Sequence, residues 1–198
     1  RARTDRAELH AVLDAGLVCH LGIVLGDAPV VLPTAYGRID DTLYLHGSTG
    51  AASVRAAGGV PVCVTVTHVD GVVYARSVFH FSMNYRSAVV HGRARLVTDD
   101  AERLAALRAL TEHVAPGSWD HARPPNRKEL AATTVLALPL HEASMKARAG
   151  GPVDEPSDVE AGVWGGHIPL RRVAEDPVPD EDAVGPVPAD VLARSAAL

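Results

Sequence analysis

The residues whose types could do chemistry crowd into one short run, Tyr44-Leu-His-Gly-Ser-Thr-Gly-Ala-Ala-Ser-Val-Arg55. It reads as the end of a strand, a small polar turn and the start of a helix. Ser48 or Thr49 is expected to cap that helix, and Gly47 and Gly50 let a backbone approach a ligand closely. The first amides and the dipole of such a helix favour a phosphate or another anion. His46, at the lip of the turn, titrates near neutral pH and suits proton transfer. An ordinary strand-to-helix loop with a solvated histidine has the same pattern, and spacing does not separate the two. His68, His80 and His91 fall on or near strands but at no recognisable ligand spacing, so no metal is expected. There is no G-x-S-x-G elbow and no cysteine beside a base motif, which excludes hydrolysis of the familiar kinds. The common nucleotide-binding glycine signatures are also missing.

These residues need a scaffold, and the chain describes one. Residues 4 to 15 read as a helix capped by Thr4 or Asp5, with Leu9, Val12 and Leu13 as its apolar stripe and Gly16 as its stop. Strands are expected at 17–25, 30–36, 42–46, 60–69, 72–79, 85–97 and 133–140. Pro33 argues for an edge or a bulge. Val62, Val64 and Val66 alternate with Cys63, Thr65 and Thr67, and Asp70-Gly71 is a hairpin signal. Short helices are expected at about 50–57 and 126–131. A longer one runs from Asp99 or Asp100 to about His113, with Leu104, Leu107 and Leu110 on one face. Strands in hairpin order with helices in the connections predict a mainly β, antiparallel barrel with flanking helices. Beyond about residue 150, proline and acidic residues accumulate and periodicity fades, apart from Val163 to Leu170. The expected division is a domain over 1–148, an extension over 149–175 and a flexible tail over 176–198.

Composition bounds the function. The 198 residues are 47% hydrophobic and 22% charged, with a net charge of −5, so nucleic acid is not an expected partner. No apolar run approaches the length of a membrane span. Cys19 and Cys63 sit in apolar runs as buried thiols, and with no charged-then-apolar leader a cytoplasmic location is expected.

The order Pro33-Thr34-Ala35-Tyr36, Leu43-Tyr-Leu-His-Gly-Ser48 and Phe81-Ser-Met-Asn-Tyr-Arg-Ser-Ala-Val-Val-His-Gly92 resembles the pyridoxamine 5′-phosphate oxidase-like, FMN-binding split-barrel proteins. It is most similar to the branch of the nitroimidazole-resistance flavoproteins. The resemblance covers residues 5 to about 145, and Trp164-Gly-Gly-His-Ile-Pro-Leu170 resembles uncharacterised relatives. It implies a six-stranded antiparallel split β-barrel that forms a homodimer, with FMN in the grooves between subunits. It also implies flavin-dependent oxidoreduction of a small organic molecule. On that resemblance Pro33, Thr34 and His46 lie beside the flavin ring, with His46 as the catalytic candidate. Gly47, Ser48 and Thr49 face its phosphate, as do Arg86 and Ser87. Tyr85 and Trp164 are candidates to line or stack on the ring. Lys146 and Arg148, placed after the last strand, read as solvated charges near a phosphate at most. One departure stands out: the family's usual basic residue on the short helix is Ala52 here, and Arg55 lies one turn further on. A deazaflavin reductase and a non-catalytic flavin- or haem-binding protein remain open alternatives.

Overall fold

The computed structural model describes residues 2–3 and 5–198, with side chains from residue 5 onward other than those of residues 52 and 53. In chain order the elements are β1 (Ala2–Arg3), α1 (Arg6–Ala15), β2 (Cys19–Leu25), β3 (Ala28–Thr34), β4 (Tyr36–Ile39), β5 (Thr42–Ser48) and α2 (Ala52–Ala57). Then come β6 (Pro61–Tyr74), β7 (Ser82–Arg93), β8 (Arg95–Leu96), α3 (Asp100–Val114), α4 (Arg127–Ala132), β9 (Thr133–Pro139), β10 (Glu142–Arg148), α5 (Pro156–Glu160), β11 (Gly166–Pro169) and α6 (Ala189–Ala197). The fold is mainly β with flanking helices, and one antiparallel sheet follows a path of six strands, β1-β10-β7-β6-β2-β3. Two compact units interleave along the chain rather than dividing it near 148 and 175, and β6 and β7 are long enough to run through both.

The first unit comprises residues 1–16, 65–89 and 143–171. Asp5 caps α1 by accepting from the Glu8 amide, and Leu9, Val12 and Leu13 are buried as their spacing predicts. Thr4, the other expected cap, lies outside the described residues. The His68 ring bonds the Val12 carbonyl at 2.9 Å, which ties α1 to β6.

The Asp70-Gly71 hairpin does not form. β6 runs straight through it, because β11 pairs antiparallel with that stretch, Gly166 opposite Tyr74 and Pro169 opposite Gly71. A Cβ on Gly71 would lie 2.8 Å from the Ile168 carbonyl oxygen. The glycine therefore serves a close approach of two backbones rather than a turn. Gly71→Val is expected to cost about 1–3 kcal/mol and to raise amide exchange along β11; unchanged exchange at Ile168 would count against this packing role.

β10 was not expected, because Glu142-Ala-Ser-Met-Lys-Ala-Arg148 alternates too weakly to read as a strand. It pairs with β1, Ala2 opposite Lys146 and Arg3 opposite Met145. Lys146 and Arg148 thus lie on a strand and not after the last one. Arg148 donates to the Asn84 side-chain oxygen at 2.5 Å and to the Gly151 carbonyl at 2.9 Å, while the buried Asn84 amide donates to Gly150. A buried amide needs such partners.

The second unit comprises residues 17–64, 90–142 and 172–198. β2 and β3 form a hairpin from Cys19 opposite Thr34 to Leu25 opposite Ala28, and β3 ends the sheet path, the edge position that Pro33 requires. A second sheet runs β4-β5-β9-β8, with Leu43, Leu45, Leu136 and Leu138 essentially solvent-free. α3 shows a different face from the one predicted. Ala106 and Leu110 are buried, Leu107 is half-buried and Leu104 is exposed. The cause is Gly37 on β4: a Cβ there would lie 2.6 Å from the Leu110 nitrogen, so the helix backbone rests directly on the strand. Ala106 packs in a cluster with Tyr44, Val97, Val135 and Ala137, and Leu104 faces solvent.

Residues 176–198, expected as a flexible tail, carry α6. Its Arg194 donates to the carbonyls of His113 and Val114, both at 3.0 Å, at the C-terminal end of α3. A cation bonded to otherwise unsatisfied helix carbonyls is favourable both by hydrogen bond and by dipole.

Candidate functional site

Two cavities of the second unit meet at His46. The smaller, about 180 Å³, is walled by Leu21, Leu32, Leu45, Val54 and Leu136 and edged by Pro33, Thr34 and His46. The larger, about 530 Å³, lies along α3 and the segment that follows it, with Leu107, Leu110, Val114 and Trp119 among its lining residues. The register explains the convergence. His46 sits opposite Val135 on β9, and its buried neighbour Leu45 forms part of the smaller cavity's wall. Part of the imidazole is in water, and desolvation against the apolar walls lowers its pKa below the ordinary histidine value. It is neutral at pH 7 and has no hydrogen-bond partner among the described residues.

Three predicted ring residues, Pro33, Thr34 and His46, are thus brought together. The phosphate turn is different. The helix after it, Ala52–Ala57, has six residues, and its N-cap position is Ala51, with no side-chain cap. The Ser48 hydroxyl instead accepts from the Gly50 amide at 3.1 Å. The Thr49 amide donates to the Ala132 carbonyl at 2.9 Å, and the Ala51 amide returns to Ser48. So neither Ser48 nor Thr49 caps the helix, and the amides of Thr49, Gly50 and Ala51 are already used within the fold. Of its side chains, the turn offers an anion the Ser48 and Thr49 hydroxyls. Arg55 reaches back over it, donating to the Thr49 carbonyl at 2.6 Å. Gly47 admits the Val54 side chain, which a Cβ there would overlap, so its closeness serves helix packing rather than a ligand.

Tyr85, Arg86, Ser87 and Trp164 belong to the first unit. Arg86 forms a two-pronged pair with Asp70, at 2.9 and 2.8 Å, so its fork is turned to a carboxylate. That pairing holds the Asp70 carboxyl below the usual range. Tyr85 and Ser87 are half-buried on β7. The Trp164 ring lies 6.0 Å from that of Tyr74 and remains largely exposed.

The residues that sequence reasoning missed are those of the larger cavity. The leucines of α3 read only as core, and nothing in the spacing joins them to Trp119 or to His46. The segment over the cavity is held by Glu112, whose carboxylate accepts from the amides of Gly117 at 2.7 Å and Trp119 at 3.0 Å. Those bonds hold its pKa below the usual glutamate range. A depressed folded-state pKa means that this support is complete above the ordinary glutamate range and is lost as pH falls through the lowered value. Protection factors of the Gly117 and Trp119 amides are expected to fall about tenfold on acidification; values that stay constant would show that the carboxylate does not hold the segment.

Neither cysteine is a nucleophile here: burial pushes the Cys19 thiol up to about 12 and raises that of Cys63. Among the described residues there is no cluster of three or more metal-ligating side chains, and no helix is long and apolar enough to cross a membrane.

A family model described as pyridoxamine 5′-phosphate oxidase matches residues 5–147. The chain belongs to this family. With it comes the split-barrel fold class. No curated protein matches the chain. Among solved structures, the flavocytochrome Anf3 from Azotobacter vinelandii is 38% identical, with a TM-score of 0.92 over 97% of this chain and 91% of that one. An FAD and haem binding protein from Mycobacterium smegmatis is 39% identical, with a TM-score of 0.93 over 98% of this chain and 96% of that one. A 5-nitroimidazole antibiotic resistance protein from Bacteroides thetaiotaomicron is 20% identical over 73% of this chain and 85% of that one, with a TM-score of 0.62, a likeness of fold. The first two likenesses cover nearly the whole chain and so extend past the end of the family match.

Proposed function

We propose that this family member is a flavin-binding oxidoreductase acting on a small organic molecule. The observation that carries the reading is the likeness, over nearly the whole chain, to two proteins named for flavin and haem. The site fits the reading in part. Pro33, Thr34 and His46 edge an apolar cavity suited to one side of a flat ring, and the neutral His46 is placed to donate or accept one hydrogen bond there. At about 180 Å³ the cavity encloses only part of a flavin. A second copy of the chain would complete it, and a monomer by light scattering at micromolar concentration would sink that shared site. When bound, the flavin supplies the electron transfer, while these side chains orient it and exclude water.

Within this reading FAD is favoured over the FMN expected from the sequence. FMN presents a terminal phosphate dianion, which calls for amides and cations. Here the amides of Thr49, Gly50 and Ala51 are used internally, Ala52 stands at the usual basic position, and Arg86 is paired with Asp70. The pyrophosphate diester of FAD carries less charge on each phosphorus and asks less of this turn. Haem is a second reading, favoured by the same two relatives.

The test is the absorbance spectrum of the purified protein with the mass of whatever it releases on denaturation. Released FAD supports the reading and released FMN returns to the sequence expectation. A Soret band establishes the haem reading. A protein that is colourless and takes up neither flavin ends the cofactor reading and leaves the family to speak for fold alone.

A further inference from the structure

We propose that the larger cavity beside His46 is the binding site of the small-molecule reaction partner, and that this partner is an uncharged, flat, mainly apolar molecule carrying one hydrogen-bonding group. The proposal rests on the flavin reading only in calling the molecule a reaction partner; the binding chemistry is read from the cavity itself.

The argument starts from size and lining. About 530 Å³ is ample for a bicyclic or tricyclic molecule, and the walls are largely apolar. Leu107, Leu110 and Val114 come from α3, Trp119 from the segment after it, and Pro124 and Pro125 from beyond that. The indole offers a flat face for an aromatic ring.

The polar groups then define the charge of the occupant. Arg123 and Glu129 are the charged lining residues, and they neutralise each other through two bonds, at 2.7 and 3.1 Å. The Thr111 hydroxyl donates to the Leu107 carbonyl at 3.0 Å and that of Thr133 to the Glu129 carbonyl at 2.8 Å. The Arg123–Glu129 pair lies at the exposed rim, so a charged ligand deeper among the apolar walls would be desolvated without a free counterion, which is costly. His46 differs from these groups. Its imidazole lines this cavity and the smaller one, is neutral at pH 7 and has no partner among the described residues. One hydroxyl or carbonyl on the ligand matches it.

The cavity is also built to hold its shape. Glu112 pins the Gly117–Trp119 segment. Arg108 pairs with Asp120 at 3.2 Å, and Arg194 of α6 bonds the carbonyls at the end of α3. Long-lived walls reduce the ordering cost of binding.

The test uses the full chain as purified, with its flavin and haem content recorded first. 2-Naphthol and its anionic counterpart 2-naphthoate are titrated by calorimetry near neutral pH. Saturable binding of 2-naphthol is expected, with 2-naphthoate at least tenfold weaker. Ala122→Trp, on an exposed lining residue, should fill the cavity and reduce 2-naphthol binding by at least tenfold with the melting curve unchanged. His46→Leu should weaken it about tenfold, with partial recovery in His46→Gln. Absent 2-naphthol binding, equal or tighter naphthoate binding, or indifference to Ala122→Trp overturns the inference. So does a Soret band that disappears in Ala122→Trp, since haem would then be the occupant. Naphthol binding in a chain that carries no flavin and takes up neither FAD nor FMN leaves the cavity assignment standing and removes the cofactor reading instead, so the two fail separately.

Discussion

Gly37→Val is expected to destabilise the protein by about 3 kcal/mol, the upper end for overpacking, and to weaken ligand binding in the larger cavity at the same time. The physical reason is that the added atoms meet backbone rather than a movable side chain. A Cβ at this position lies 2.6 Å from the Leu110 nitrogen and 2.8 Å from the Ala109 oxygen. Neither can rotate away, so α3 as a whole has to lift from β4. Leu107, Leu110 and Val114, which line the cavity, ride on that helix. A urea titration reads the stability and a naphthol titration the cavity. Gly151→Ala is the control, because a Cβ there meets nothing within 4 Å; it should change stability by less than about 0.5 kcal/mol. Equal effects of the two substitutions would refute the account of the α3 seam.

Leu136→Ala is expected to cost about 2–5 kcal/mol, the range for emptying a buried leucine site. Leu136 is solvent-free and forms part of the wall of the smaller cavity opposite Pro33, Thr34 and His46. The change therefore enlarges a space that already holds about 180 Å³. Leu138→Ala supplies the comparison, since Leu138 is equally buried on the same strand but does not line that cavity. Both variants should lose similar stability, while flavin retention should fall more in Leu136→Ala. Equal flavin retention at equal stability would show that the smaller cavity does not hold the ring.

Much of the scaffold was readable along the chain. The stripe Leu9, Val12 and Leu13, a cap at one of the two residues offered for each of α1 and α3 (Asp5 and Asp99), and the helix beginning near Asn126 are local patterns, and each forms as its spacing requires. The edge position of Pro33 follows from a missing amide. β10 and β11 were not readable, since Lys146 and Ile168 owe their strand conformation to partners distant in sequence. Gly71 shows the same limit from the other side. Asp-Gly is a turn signal only where no strand competes for the backbone, and β11 does compete.

The site divides along the same line. The residues Pro33, Thr34 and His46 could be singled out from residue types and family resemblance, because the motifs that carry them are contiguous. That these three edge one cavity, and that His46 also faces a second, depends on strand register and on the approach of α3 at Gly37. The phosphate turn makes the contrast plain. Its sequence, Gly47-Ser-Thr-Gly50, advertises free amides, and only the bonds of the Thr49 amide to Ala132 and of the Gly50 amide to Ser48 reveal that these two are used. Sequence by itself determined the class of fold and most of its elements, since these rest on local propensity and apolar periodicity, and it pointed to the family through the resemblance of a few contiguous motifs. Tertiary structure alone decided which polar groups remain available to a ligand, because hydrogen bonds within the fold use up donors and acceptors that the linear order leaves unpaired.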